Sequence, residues 1–404
     1  MMITTIFLHE EQIRQLCESG ENTMKKGFAI SMDNNTVVHA YTECPQVLSA
    51  GKEYDVWFIF SESLVNFEDL DTFELQKESF VIQFAMFDNV LKTQASFFTA
   101  NKTFEGECQI KYIPTKSELY SRSKGLLEVS MLAKKTVGIV GIGSGGSPIV
   151  IELAKAGVGN FVLIDFDRIE LSNVARHICG INDLGRLKTY AVRDYILQKN
   201  PYAKIKTLEI DVNEYMEECT EALKDVDIII CASDNDKSRF FLNDIALKYS
   251  IPAVFGRAIT RAIGGDVLRV RPHQGPCYNC LYSQDFRNTE EEISQRERQA
   301  KKFLPDYTSE EDLNAVVQVG LSSDIAPITN FMIKLILVEL SKGSPSGISS
   351  LEEDLLADYY IWANRREYVY ESWSKFEYNF NKPSILRWYG ARVEKDPECL
   401  VCGI

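Results

Sequence analysis

No apolar stretch in these 404 residues approaches the ~20 needed to cross a bilayer, and the opening Met-Met-Ile-Thr-Thr-Ile-Phe-Leu-His-Glu carries no basic signal-peptide head. A cytoplasmic protein without a membrane partner is expected. Excess positive charge is missing too: 44 Lys and Arg stand against 58 Asp and Glu, a net charge of −14. That balance argues against nonspecific nucleic-acid binding. Histidine is scarce, with only His9 and His39 in the first 116 residues, and they stand far apart. A zinc hydrolase needs a His-x-His pair plus an acid, so protease activity is excluded for that region. Ten cysteines in a chain this long do not make a disulfide scaffold.

Hydrophobic content of 45% and charged content of 25% are those of a globular protein, and the length predicts two domains or one enlarged one. Six cysteines are scattered singly. The other four form Cys277-x-x-Cys280 and Cys399-x-x-Cys402, each in a turn-like context. Four thiolates are what a closed tetrahedral structural Zn²⁺ site requires, and such an ion would pin the C-terminal tail to the preceding domain. Redox chemistry fits less well, because neither pair opens a helix after a strand.

The decisive stretch begins at Lys135. Thr136 to Val140 is apolar and long enough for one buried parallel strand. It enters Gly141-x-Gly143-x-x-Gly146, with a further glycine at 145, and residues 147 to 157 read as a helix that Pro148 starts and Gly157 ends. Glycines let a backbone approach a phosphate closely, and a helix amino end points free N–H groups at it. A second strand, Phe161 to Ile164, ends at Asp165, where an acid usually binds ribose hydroxyls. This predicts a nucleotide-binding βαβ unit, which alone fits NAD, FAD or ATP. Asn173, Arg176 and Lys188 follow in the connection to the next helix, and Ser233-Asp234-Asn235 follows the strand Val226 to Cys231. Two cations and a carboxylate beside a nucleotide suit phosphate chemistry with Mg²⁺ better than hydride transfer.

Taken in order, Gly141-Ile-Gly-Ser-Gly-Gly146, Asp165-Phe-Asp167, Asn173-Val-Ala-Arg-His177, Gly185-Arg-Leu-Lys188, Asp234-Asn235, Pro276-Cys-Tyr-Asn-Cys-Leu281 and Cys399-Leu-Val-Cys-Gly403 resemble the E1-like adenylyltransferase family. That family includes the ThiF, MoeB, microcin-maturing and ubiquitin-activating enzymes, and the likeness covers about residues 120 to 404. It implies that a polypeptide's C-terminal carboxylate is activated as an acyl-adenylate. ATP would lie over Gly141, Gly143, Gly145 and Gly146, with Asp165 on the ribose and Asn173 orienting a phosphate or the ribose. Asn235 belongs to the same nucleotide-binding set. Asp234 would hold Mg²⁺, and Arg176, Lys188 and Arg122 would neutralise the triphosphate. In homodimeric members an arginine like Arg122 reaches the partner's ATP; Tyr120-Ser-Arg122 matches half of that motif, with Leu119 where its first arginine would stand.

The resemblance further implies a homodimer, a crossover loop at 282–322 covering the substrate tail, and an E2-like protein as a further partner. No cysteine lies between Cys280 and Cys399, so that stretch offers no thioester nucleophile. Cys179, near the phosphate residues, is the remaining candidate thiol. A ubiquitin-like protein is the first expected substrate, then a short peptide as in the microcin type, then a sulfur carrier. A non-catalytic nucleotide-sensing scaffold and a NAD-dependent oxidoreductase are the readings from other classes.

The expected fold is α/β: a doubly wound, mostly parallel Rossmann-like sheet over residues 117–404 with a zinc-pinned tail. A small β-rich (α+β) domain for recognition or dimerisation spans residues 1–116. There, Glu10 to Glu18 reads as a helix and Gly27–Ser31, Val37–Tyr41, Asp55–Phe60 and Ser79–Phe87 as strands. Pro114 to Arg122 reads as a boundary leading into a helix up to Lys134. Later come helices at Arg186–Lys199, Asn213–Leu223 and Asp236–Tyr249, an antiparallel strand at Gly264–Arg271 and a core helix at Ile325–Leu340. Tyr359–Trp373 and Ile385–Tyr389 read as aromatic strands.

Overall fold

The computed structural model describes residues 4–18, 20, 23–33, 36–43, 51–67, 78–88, 90–99, 104–113, 116–259, 262–282, 320–365 and 385–403. The chain divides into two compact units, residues 1–122 and 123–404.

The first unit is built on one sheet. Its elements are β1 (Thr5–His9), α1 (Glu10–Glu18), β2 (Thr23–Met32), β3 (Val37–Tyr41), β4 (Lys52–Ser61), β5 (Ser79–Phe87), β6 (Val90–Phe98), β7 (Phe104–Glu107) and β8 (Gln109–Ile113). The strand order is β7-β6-β5-β4-β2-β3-β1-β8. Strand β1 runs parallel to both β3 and β8. Side chains alternate across a strand, so Ile6 and Leu8 of β1 share one face with Val56 and Phe58 of β4, against Ile13 and Leu16 of α1. The expected helix and four strands are present, while β1 and β6–β8 were not anticipated. Strand β1 is only five residues, with apolar Phe7 between its two core positions, and β6 opens on exposed and half-exposed residues, so neither shows a clear apolar–polar alternation in sequence.

The second unit carries strands β9 (Thr136–Val140), β10 (Asn160–Ile164), β11 (Lys204–Leu208), β12 (Ile228–Cys231), β13 (Ala253–Ala258), β14 (Gly264–Val270), β15 (Tyr359–Ala363) and β16 (Arg387–Ala391). Its longer helices are α2 (Gly146–Lys155), α3 (Lys188–Lys199), α4 (Met216–Leu223), α5 (Asp236–Tyr249) and α6 (Ser322–Leu340). The sheet order is β11-β10-β9-β12-β13-β14-β15-β16. The first five strands in that order run parallel and β14, β15 and β16 antiparallel. A parallel sheet is covered on both faces, which explains the near-continuous apolar runs. Ile139, Leu163 and Ile230 pack towards α2, α3 and α6, and Val140, Val162 and Ile229 towards α4 and α5.

Three local readings need correction. The helix expected up to Lys134 is broken into Lys116–Leu119, a 3₁₀ turn at Ser121–Ser123 and Val129–Leu132. Gly125, at φ +83, takes a left-handed conformation that a continuous helix cannot contain. Helix α4 starts at Met216 rather than Asn213, because the Asp211 carboxylate and carbonyl take the N–H groups of 213 to 215 in a turn. The last aromatic strand lies at Arg387–Ala391, two residues on from the expected start. Residues 366–373 and the expected crossover stretch from 283 to 319 lie outside the described residues.

Candidate functional site

The glycine loop is clamped between two strand ends. Gly141 N–H donates to the Ile164 carbonyl at the end of β10 (3.0 Å), and Ala232, just past β12, donates to the Val140 carbonyl (2.9 Å). Gly141 has φ +89, and a Cβ there would meet the Ala232 carbonyl carbon and oxygen at 2.7 Å and Ser233 N at 2.8 Å. Only glycine fits. A Cβ on Gly146 would overlap the Gly141 carbonyl oxygen, so the first turn of α2 can fold back against the loop only with glycine there. Gly143 differs, because a Cβ on it would meet nothing within 4 Å. Its bareness relieves no clash within the protein and leaves backbone open to a ligand. Helix α2 starts from Gly145 with no side-chain cap; Ser147 N–H goes to the Gly143 carbonyl (2.9 Å) and Pro148 has none, so the N–H groups of Gly145 and Gly146 are those left at its positive end for an anion.

Acidic and basic side chains meet around this loop. Asp165, at the end of β10, accepts from Ile142 N–H at 2.6 Å and from Asp167 N–H at 2.9 Å. Burial raises its pKa, opposed by the Lys188 charge and these two bonds. Lys188, at the start of α3, is buried and pairs with Asp167 Oδ2 at 2.7 Å. His177 Nδ1 accepts from Cys179 N–H (3.1 Å), so the proton sits on Nε2 and is donated to the Ile142 carbonyl (2.8 Å). Burial lowers the pKa of His177, and the Lys188 and Arg176 charges lower it further. Neutral His177 is thus a tether for the loop. Arg176 is half-buried, and its side chain has no hydrogen bond or ion pair among the described residues. Asn173 Oδ1 accepts from Glu170 N–H (3.1 Å) in a reciprocal cap, leaving its amide NH₂ for a ligand.

Across the loop, Ala232 and Ser233 touch the glycines and carry the chain into Asp234, which is exposed. A carboxylate with no partner among the described residues, just beyond a parallel strand's carboxyl end, lies where open α/β sheets bind ligands. Asn235 also caps α5, its side-chain oxygen accepting from Ser238 N–H (2.9 Å). Gly141, Gly143, Gly145, Gly146, Asp165, Arg176, Lys188 and Asp234 therefore share one edge of the sheet. Arg122 stands exposed on the 3₁₀ turn that ends the first unit. Cys179 is not a reactive thiol: it is 2% exposed, and burial, with Asp183 nearby, pushes its pKa up to about 12.

The four cysteines, from two pairs 122 positions apart in sequence, come together. Sγ···Sγ distances are 3.7 Å for Cys277–Cys280, 3.8 Å for Cys277–Cys399 and 3.4 Å for Cys280–Cys402. All four sulfurs lie within 4.8 Å of one another. Tetrahedral Zn–S bonds of about 2.3 Å put sulfurs about 3.8 Å apart, so this cage fits Zn²⁺. Cys277 heads one helical turn, Tyr278–Leu281, rather than the long helix of a thioredoxin-type motif.

The ThiF family matches residues 118–344. This chain belongs to the ThiF family. Its relatives include the adenylyltransferase and sulfurtransferase MOCS3 of Aedes aegypti, 30% identical over 46% of this chain and 43% of that protein. Another is the sulfur carrier protein adenylyltransferase of Thermus thermophilus, 32% identical over 42% of this chain and 65% of that one. The ThiF-family chain thus spans less than half of the first relative and under two thirds of the second. In fold it is similar to E. coli MccB with succinimide, with a TM-score of 0.52 and 17% identity over 72% of this chain and 75% of that one.

Residue-type reasoning assigned no part to Asp167, His177, Arg239 or Tyr278. Tyr278 lies between two cysteines and His177 closes the Asn173-to-His177 motif, so their positions were signals without a readable role. Arg239 and Asp236 form an ion pair at 2.9 Å under the Asp234 loop. Burial works against the Asp236 carboxylate, yet the adjacent Arg239 charge and the bonds from Arg239 and Tyr278 hold its pKa below the ordinary value.

Proposed function

We propose that this chain is an ATP-dependent adenylyltransferase that activates the C-terminal carboxylate of a ubiquitin-like protein, releasing pyrophosphate. The observation that carries the reading is the convergence of an open glycine loop, an Arg176 without an ion pair among the described residues, a buried Lys188 and an exposed Asp234. The N–H groups at Gly143 to Gly146 and the α2 amino end bind phosphate oxygens, and Asp165 takes the ribose hydroxyls. Lys188 and Arg176 offset charge on the triphosphate, and Asn173 NH₂ orients it. Asp234 would hold Mg²⁺, which when bound would supply neutralisation of phosphate charge. The substrate carboxylate is ionised at neutral pH, so no general base is required. Its oxygen forms a bond to the α-phosphorus as the bond to the pyrophosphate oxygen breaks, and the protein's part is alignment and electrostatics.

A homodimer in which Arg122 reaches the partner's nucleotide, a cytoplasmic setting and a downstream E2-like acceptor belong to this reading. The adenylyltransferase names of both relatives, and the sulfur carrier protein named for the Thermus thermophilus one, support the reaction class. Adenylation of a short peptide is the second reading, favoured by the lack of a cysteine between Cys280 and Cys399. ATP–pyrophosphate exchange with Mg²⁺ and candidate polypeptides tests both. Exchange that needs a folded protein ending in glycine supports the first, and exchange that needs a short peptide supports the second. ATP binding without exchange for any candidate would sink both and leave a nucleotide sensor.

A further inference from the structure

The cysteine cage and the Asp234 loop are joined by one continuous polar chain. Tyr278, the residue after Cys277, is 1% exposed, and its phenol donates to Asp236 Oδ1 at 2.8 Å. The same oxygen accepts from Arg239 NH1 at 2.9 Å. Arg239 NH2 donates in turn to the Ser233 carbonyl at 2.8 Å, one residue before Asp234. A second strut runs beside it, because the Tyr278 N–H donates to Asn243 Oδ1, two turns along α5, at 2.9 Å. The cysteine turn therefore holds α5 at two points, and α5 holds the loop at its root. On the other side of Asp234, Asn235 is fixed as the α5 cap. Among the described residues, the Asp234 side chain is without a partner between two neighbours that have them.

We propose that Tyr278 is a positioning residue for metal binding at Asp234: through Asp236 and Arg239 it transmits the geometry of the four-cysteine cage to the loop that meets Mg²⁺. This deepens the adenylyltransferase reading and rests on its assignment of Asp234. The arrangement goes beyond packing. The aromatic ring already has its apolar partners, with Phe240 at 5.1 Å, Phe255 at 5.0 Å and Tyr282 at 4.4 Å between ring centroids. The hydroxyl adds a directed bond to a carboxylate that is also the ion-pair partner of a buried arginine. Arg239 is 6% exposed and its Nε has no partner, so its placement depends on the Asp236 and Ser233 oxygens. Without the phenol, Asp236 and Arg239 can shift together and the Ser233 carbonyl loses its fixed donor.

The test uses the full chain and the Tyr278→Phe variant, with ATP binding titrated against Mg²⁺ and again in EDTA. Metal content is read by elemental analysis. A hydrogen bond to a charged group is worth enough that losing part of it should raise the Mg²⁺ half-saturation about three- to tenfold. Zinc content and the Mg²⁺-independent affinity for ATP should stay at wild-type values. A role in packing alone would instead lower the melting temperature and weaken both affinities together, which overturns the proposal. So does an unchanged Mg²⁺ half-saturation. Should Tyr278→Phe lose zinc or fail to fold, Asp236→Asn, which leaves the cysteine turn intact, decides by the same readout. Wild-type protein that binds ATP without Mg²⁺ dependence would refute the reading of Asp234 itself, and this inference with it. A Mg²⁺-dependent wild type with unaltered variants refutes only the inference.

Discussion

Gly143→Ala separates the demands of the fold from those of a ligand. The new Cβ meets no atom within 4 Å, and Gly143 is not among the residues with positive φ. The substitution should be neutral for stability or add about 0.4–1 kcal/mol by restricting the unfolded chain. ATP should respond in the opposite direction. If phosphate oxygens rest on the bare backbone at 143, a methyl group there holds them off by more than a hydrogen bond can stretch. One lost N–H···O⁻ bond, at about 1.5–3 kcal/mol, weakens ATP by roughly ten- to a hundredfold. Calorimetric titration with ATP beside a thermal melt reads both quantities. Gly146→Ala is the contrasting control, since its Cβ overlaps the Gly141 carbonyl oxygen and should destabilise the protein before any ligand is added. Unchanged ATP affinity in a stable Gly143→Ala protein would show that no phosphate lies over this loop.

Asp234→Ala should lower the rate of ATP–pyrophosphate exchange by about 10²–10³-fold, by analogy with removing one preorganised charge-stabilising group, with little change in melting temperature because the side chain is exposed; undiminished exchange would sink its assignment. Cys402→Ser should abolish stoichiometric zinc and lower the melting temperature, and a variant that keeps one zinc per chain would show that the cage needs only three thiolates. For His177 the folded pKa lies below the ordinary histidine value of about 6.5, so between the two the unfolded chain binds the extra proton. Its contribution to stability is therefore complete above pH 6.5 and is lost as pH falls towards the folded value. ATP affinity should decline over the same window, and His177→Gln, which cannot take up that proton, should flatten the decline; an identical pH profile in the variant would refute the tether.

The second unit was legible because each signal there has one physical cause. Runs such as Ile228 to Cys231 are apolar at every position since both sheet faces are covered, and Gly141 and Gly146 are dictated by close backbone contacts. The cysteine pairs were legible because four thiolates have few other uses in one chain. The capping role of Asn235 was not read from the sequence, since asparagine at a helix start caps as readily as it binds. Cys179 could not be judged from its neighbours in sequence, because its burial is set by residues packed from elsewhere. Asp236, Arg239 and Tyr278 were missed for the same reason: two are separated from the third by about forty positions, and charged residues on a helix usually face water. In the first unit, β6 to β8 lacked clear alternation, and their places come from pairing rather than from their own composition.

Strand β1 has a consequence for how the first unit is made. Thr5–His9 lies between β3 and β8, and its partner on one side, Gln109–Ile113, is more than a hundred positions away. As the chain leaves the ribosome, β1 can pair with β3 early but must keep its other row of backbone groups open until β8 has emerged. Non-local pairing of that span is slow, and an open edge is a template for the wrong partner. Fragments ending before residue 109 should therefore associate with one another, whereas a chain extended past residue 113 closes its own edge.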